Sequence, residues 1–309
     1  MQIKFNLIHH KLHLIMKSVL FFITIFCLTA CVKKASNEDV SQKNPNIYTT
    51  QVGNYKVHLL SEGQQQGKTE ILIGATSEMQ QEYIPSGTFP NAINAFLIQT
   101  PERNILVDTG LGKSITENLQ SLGVAESDIT DVLITHMHGD HVGGLFKDEN
   151  PRFPEANLKI SVPEYDYWFN SDQSDKLTQI TKSYPKFSAF SPEIFAPGND
   201  AGFTLVQDVK INPIPAYGHT PGHVAFLLES KGEKLLIWGD LTHAMAIQMP
   251  HPEIAVTYDV NTEDAINSRN TILEYVTKNN IPIAGMHIAY PAMGNIKKKN
   301  GQGYEFLPL

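Results

Sequence analysis

Between Thr135 and Gly144 the chain reads Thr-His-Met-His-Gly-Asp-His-Val-Gly-Gly, which packs His136, His138, Asp140 and His141 into six positions. The cluster directly follows Val132-Leu133-Ile134, an apolar run that reads as a buried strand. A strand that delivers polar side chains at its carboxyl end is how α/β folds build sites, so this segment restricts the fold as well as the chemistry. Neutral imidazole suits zinc, and a carboxylate adds an oxygen ligand and a place to hold water. In extended backbone His136 and His138 point the same way and can share one ion, while Asp140 and His141 turn toward a second. The bland alternative is a solvated turn that happens to be rich in histidine.

Three further segments argue against that alternative. Gly218-His219-Thr220-Pro221-Gly222-His223 follows the apolar stretch from Ile211 to Ala216. Leu235-Leu236-Ile237-Trp238-Gly239-Asp240 reads as a strand ending in a carboxylate, and Ile283-Ala284-Gly285-Met286-His287 as a short run ending in histidine. The set His136, His138, Asp140, His141, His219, Asp240 and His287 is enough to hold two ions with a shared carboxylate and a shared water.

In motif order and spacing, residues from about 50 to 309 resemble the metallo-β-lactamase superfamily. The resemblance implies an α/β chain folded as a four-layer αββα sandwich, with metals at one edge of two facing sheets. Carried over by position, it implies that His136, His138 and His219 hold the first zinc, that Asp140, His141 and His287 hold the second, and that Asp240 bridges them. It also implies that Asp108, in the turn Asp108-Thr109-Gly110, buttresses the site, although a cap for a helix from Lys113 to Leu122 is compatible with the same residue. His223 is expected to orient the His219 loop rather than to bind metal. His58 and His251 have no ligand neighbours and read as surface or packed residues.

The N-terminus reads differently from the rest. Lys4, Lys11 and Lys17 precede an apolar run from Ser18 to Ala30, too short for the ~20 residues a bilayer span needs, so residues 1–30 read as an export signal. Leu28-Thr29-Ala30-Cys31 looks like a bacterial lipobox, in which the chain is cut before Cys31 and the thiol takes a lipid; Met16 is an alternative start. The polar residues 31–46 read as a tether, and 47–309 as the hydrolase domain. The expected location is the periplasmic side of the cell envelope, on the outer membrane, with the lipid as the membrane contact. Apart from Cys27 and Cys31 the chain has no cysteine, which leaves the domain without disulfides or thiolate ligands. Loss of residues 1–30 removes three lysines and no acids, taking the net charge from −8 to −8 − 3 = −11, which speaks against nucleic acid as a partner. A second copy of the chain, giving a homodimer, is compatible with the sequence.

Supporting elements are legible around the motifs. Ile93–Ile98 and Ile105–Val107 read as paired strands, and Val224–Glu229 with Lys234–Trp238 as a hairpin. Residues 261–278 give the clearest helix, capped by Asn261, with Ala265, Ile272, Leu273 and Val276 on one face. Gln64-Gln65-Gln66 reads as a loop.

The ligand set predicts a binuclear zinc hydrolase in which a metal-bridging hydroxide attacks a lactone or ester carbonyl, with Asp140 orienting it and shuttling its proton; iron or manganese fits the same donors. The absence of cysteine excludes the cysteine-using zinc β-lactamases, and the presence of Asp240 counts against the others. What remains resembles the acyl-homoserine lactonases and methyl parathion hydrolases, with thioesterases as a further branch. Trp168 matches a tryptophan that lines the pocket in parathion hydrolases, although packing on a helix face explains it equally well. His243 stands where many such lactonases carry tyrosine, and can donate to a substrate oxygen. The expected substrate is a small uncharged lactone or ester, with phosphotriesters as a secondary class. A non-catalytic zinc-binding lipoprotein is the alternative of a different kind.

Overall fold

The computed structural model describes residues 44–195, 204–301 and 303–309. The leader 1–30, Cys31 and most of the tether lie outside the described residues. One sheet has seven strands in the order Ile47–Val52, Tyr55–Lys68, Thr88–Gln99, Asn104–Val107, Asp131–Leu133, Asn157–Ser161, Ser188–Phe190. The other has six, in the order Ile211–Pro215, Val224–Ser230, Glu233–Ile237, Ile283–Ala284, Met293–Lys298, Tyr304–Pro308.

Strand periodicity of two explains how these sheets layer. Val57, Leu59, Phe96, Ile98, Ile105, Val107 and Leu133 point to one side of the first sheet and share a core with Phe226, Leu228, Leu236, Ile283 and Met293 of the second. Their neighbours Leu60, Ala95, Leu97, Leu106 and Val132 point the other way, onto Ile115, Leu119, Trp168, Leu177 and Ile180 of the helices Ile115–Ser121, Val162–Phe169 and Ser174–Ser183. The helix Thr262–Asn279 covers the second sheet through Ile272, Leu273 and Val276. The αββα sandwich is therefore present. Asn261 caps that last helix by accepting from Asp264 N at 3.2 Å, as its sequence predicts.

The hairpin after Val224–Ser230 turns on Lys231 and Gly232, both with positive φ (53° and 83°), the conformation that matches the twist of a two-residue connection. The glutamine run departs from expectation. Gln64, Gln65 and Gln66 continue the long strand Tyr55–Lys68, paired with Ala92, Asn91 and Pro90 beyond a register irregularity between Ser61 and Gln64. Backbone pairing with Thr88–Gln99 holds them in the sheet although neither face there joins the main core, which is why their composition reads as loop.

Candidate metal centre

Four strand ends converge on the site. Asp131–Leu133 leads into His136 and His138, and the short helical turn Gly139–Val142 carries Asp140 and His141. From the second sheet, His219 follows Ile211–Pro215, Asp240 follows Glu233–Ile237, and His287 follows Ile283–Ala284. His136, His138, His219 and Asp240 form one cluster of converging ligand atoms, Asp140, His141 and His287 a second, and Asp240 with His243 and His287 a third.

Tautomers fix what these rings present to each other. Thr135 donates its hydroxyl to Asp108 Oδ2 at 2.7 Å, so its oxygen accepts from His136 Nδ1 at 3.1 Å. His141 Nδ1 faces Asp108 Oδ2 at 2.6 Å, His219 Nδ1 faces Asp259 Oδ1 at 2.9 Å, and His287 Nδ1 faces the carbonyl of Ala92 at 2.9 Å. In the neutral ring each Nδ1 thus holds its proton against an acceptor, which leaves Nε2 as the lone pair a metal would take. Those lone pairs then meet. His138 Nδ1 lies 3.0 Å from both His136 Nε2 and His219 Nε2, and Asp240 Oδ2 lies 3.6 Å and 3.2 Å from the same two atoms. Ligands on zinc at ~2.0–2.1 Å in tetrahedral geometry stand roughly 3.3 Å apart, so these separations fit an ion at the centre.

The second cluster behaves alike. Asp240 Oδ1 sits 3.1 Å from His141 Nε2, and both atoms are buried without a hydrogen-bond partner. Asp140 brings Oδ1 to 3.8 Å from His141 Nε2 and Oδ2 to 3.5 Å from His287 Nε2, while Asp240 Oδ2 is 3.0 Å from that same ring nitrogen. Buried lone pairs facing one another are unfavourable unless a cation lies between them. The donor set therefore fits divalent metal.

The electrostatics of the protein alone carry the same signature. Burial lowers His136 well below the ordinary histidine value, helped by His141, and lowers His138 to about 4. Burial also opposes protonation of His141 and His219, but Asp240 with Asp108 outweighs it at His141, which is raised. At His219 Asp240 with Asp259 does the same, raising it to about 9. His287 is raised too, its burial outweighed by Asp240. Asp240 is held well below the usual carboxylate range, because His141, His287 and His136 outweigh its burial. Protons answer here to the negative charge that metal would otherwise neutralise.

Asp108 is fully buried at φ 59°, a left-handed conformation that aspartate tolerates, and accepts from Thr135 N at 2.8 Å as well as from His141. It does not cap the following helix, which begins at Ile115 behind Ser114. His223 accepts from the backbone N–H of Asp240 at 3.0 Å through Nε2 and donates to the Ala216 carbonyl at 2.8 Å through Nδ1. It thereby joins the His219 loop to the bridging position, and burial lowers it to about 3, the neutral form this role needs. Gly239, at φ 62°, must lack a side chain, since a Cβ there would lie 2.3 Å from His223 Nε2. Trp168 is buried at 5% exposure, edge-on to His138 at 6.1 Å, and donates its indole N–H to Glu164 at 2.7 Å; it stands behind His138 rather than among the residues lining the cavity. His243 stacks on His287 at 4.7 Å and presents Nε2 to Asp240 Oδ2 at 3.2 Å. Its Nδ1 has no partner, unlike the anchored nitrogens of the other rings, which suits a donor through Nε2 more than a ligand. His58 is buried between Thr49 Oγ1 at 2.8 Å and Gln99 Oε1 at 2.9 Å, and His251 pairs with Glu253 at 3.0 Å.

Two carboxylates escape the sequence reading. Asp259 holds His219, as described above. Glu164, 1% exposed, accepts from Met137 N at 2.8 Å and Trp168 Nε1 at 2.7 Å on one oxygen, and from Thr220 Oγ1 at 2.6 Å and Gly222 N at 3.2 Å on the other. It ties the His136–His138 loop to the His219 loop. The site opens into a cavity of about 570 Å³ lined by His138, Asp140, His219, Asp240, His243 and His287 on the metal side.

A sandwich carrying this donor set at the edge of its sheets defines a class, and the chain belongs to the metallo-beta-lactamase superfamily, which it matches over residues 88–280. Among its relatives, the uncharacterized protein YobT of Bacillus subtilis is 28% identical over 195 residues, spanning 59% of this chain and 78% of that protein. The N-acyl homoserine lactonase AttM of Agrobacterium fabrum is 26% identical over 184 residues, spanning 59% of this chain and 66% of AttM, just under two thirds of its length. Among solved structures, AidC, a dizinc quorum-quenching lactonase, superposes with a TM-score of 0.75 at 25% identity, covering 85% of this chain and 97% of AidC. The beta-lactamase-superfamily hydrolase AbOPH superposes with a TM-score of 0.73 at 26% identity over the same shares. Membership and donor clusters together make the chain a metal-dependent hydrolase.

Proposed function

We propose that this hydrolase opens lactones or esters of the acyl-homoserine lactone type, using two divalent ions, zinc first among the candidates. The observation that carries the proposal is the pair of donor clusters sharing Asp240 beside a cavity of about 570 Å³. Bound there, the ions supply Lewis acidity toward the carbonyl and bring the pKa of a coordinated water toward ~7. His136, His138 and His219 would hold one ion, Asp140, His141 and His287 the other, and Asp240 both. AttM and AidC, both lactonases, support this branch.

The protein's own groups do the rest. Asp140 keeps 28% of its side chain exposed at the cavity, so its carboxylate takes the proton of the attacking water and returns it to the alkoxide that leaves. His243, neutral because burial lowers it to about 4, offers Nε2–H to the carbonyl oxygen as charge develops there. Its backbone is fixed for that task, with its N–H on Gln248 Oε1 at 2.7 Å and its carbonyl on Asn91 Nδ2 at 3.0 Å. We further propose that the chain acts as an exported lipoprotein anchored through Cys31. The test is ring opening of a medium-chain acyl-homoserine lactone by metal-loaded protein, followed by pH-stat. Turnover that disappears in Asp240→Ala supports the proposal, and a folded, metal-loaded protein without turnover on any lactone or ester rejects it.

A further inference from the structure

The end of the strand Tyr55–Lys68 and its partner Thr88–Gln99 contribute a further wall of the cavity. Gln65, Gln66 and Lys68 line it together with Asn91, against Ile71 and Ile93 as the aliphatic contributors. No hydrogen bond or ion pair engages the side chains of Gln65, Gln66 or Lys68 among the described residues, so their polar groups are available to a ligand.

The strand register orders these groups along a path. Asn91 donates to the His243 carbonyl at 3.0 Å, and Ala92, next to it, accepts from His287, which ties this end of the strand pair to the metal centre. Gln65 pairs with Asn91, Gln66 with Pro90 and Lys68 with Thr88. At ~3.3 Å per residue, Lys68 lies roughly 10 Å farther along the strands than Gln65. Successive strand residues face opposite ways, so Gln65 shares a face with Asn91 and Gln66 shares the other with Lys68; a substrate arm following that second face would meet the Gln66 amide first and the Lys68 ammonium last. A bare alkyl chain there would strip water from the Gln66 amide and the Lys68 ammonium without replacing their hydrogen bonds, which is unfavourable.

We propose that the preferred substrate carries a polar acyl arm ending in a carboxylate, hydrogen-bonded by Gln66 and paired at its end with Lys68. This inference rests on the hydrolase reading above and sharpens its substrate class. The hydrophobic tail of a plain acyl-homoserine lactone is then the poorer fit.

Calorimetry on the metal-loaded full chain tests it through product binding, independently of turnover. The ligands are ring-opened homoserines in matched pairs: succinyl against butanoyl, adipoyl against hexanoyl, suberoyl against octanoyl. One carboxylate arm should bind about fivefold more tightly than its alkyl counterpart, the upper range for an exposed ion pair. The ratio should fall toward one in Lys68→Gln, and the balance between the arms should shift in favour of alkyl in Gln66→Leu. Alkyl arms that bind as tightly or better in all three pairs would overturn the proposal. So would a carboxylate preference that survives unchanged in both variants. Ring opening of the corresponding lactones is measured in parallel: its absence rejects the lactonase reading, while the binding ratios still decide the polar arm.

Discussion

Glu164 is the group whose removal tests the construction of the site most directly. It is 1% exposed, carries no cationic partner, and accepts four hydrogen bonds from two ligand loops and Trp168. Burial pushes its carboxyl up, and the donors from Thr220, Met137, Trp168 and Gly222 work against that shift. In Glu164→Leu all four donors lose their acceptor inside the core. At ~1–3 kcal/mol for each unsatisfied group, with partial relaxation, the loss is about 4 kcal/mol. Glu164→Gln keeps the acceptor toward Met137 and Trp168. Its amide nitrogen then confronts Gly222 N, which can only donate, while the Thr220 hydroxyl can turn to accept, so the loss falls to about 2 kcal/mol. Displacement of the two loops should weaken metal binding by about 10- to 100-fold, the range seen when groups that orient ligands are removed. Denaturant unfolding of the metal-free chain reads the first effect, and competition with a chromophoric chelator reads the second. Because Gln is nearly isosteric, that variant should stay folded and show the affinity loss cleanly. Wild-type stability and wild-type metal affinity in both variants would refute the reasoning.

Other expectations follow from single contacts. Asp240→Ala should lower bound metal, measured by elemental analysis, and reduce hydrolysis at least about a hundredfold, since Asp240 joins both donor clusters. Gly239→Ala should lower the melting temperature by about 3–8 °C or more, through the 2.3 Å approach to His223 and the φ of 62°, with a cost of about 1–2 kcal/mol for the backbone alone. His58 supplies a pH test remote from the metal ligands. Burial lowers its pKa to about 4, against 6.5 when exposed, with the hydrogen bond to Gln99 opposing and Lys56 adding to the shift. The unfolded chain therefore takes up a proton on His58 before the native one does. Its stabilising contribution is complete above about 6.5 and declines as pH falls from there toward 4. His58→Gln should flatten the stability of the metal-free chain across that interval by one proton's slope, and an unchanged slope would count against the assignment. Chelation should lower the melting temperature of the wild type, since the ions bind the native state alone.

The site was largely legible because its ligands sit where local pattern is strongest, directly after short apolar runs at strand ends. Asp131–Leu133 and Ile283–Ala284 are buried short strands whose last residues are followed by ligand-bearing loops, and no long-range knowledge is needed to see that. Glu164 was not legible for an equally physical reason. Ser161-Val162-Pro163-Glu164 has the form of a helix capping box, and Ser161 does accept from Glu164 N at 3.2 Å, so the local signal was satisfied without reference to the metal centre. What the pattern could not convey is that the carboxylate points away from the cap toward Thr220 and Gly222, some 56 and 58 residues on. Asp259, 40 residues from His219, is hidden similarly in a turn before a helix cap. Gln64–Gln66 have the composition of a loop because composition reports solvation, while strand pairing is decided by the partner's backbone.

The ligands of this centre are divided between the halves of the sandwich: one sheet brings His136, His138, Asp140 and His141, the other His219, Asp240 and His287. Neither half of the polypeptide therefore closes the first or the second cluster alone, since His219 and Asp240 are needed for the first and His287 for the second; only the third group, Asp240, His243 and His287, lies within one half. Full-affinity metal capture must wait until the sheets have met, which makes it a late event in maturation and a reporter that both halves have found each other.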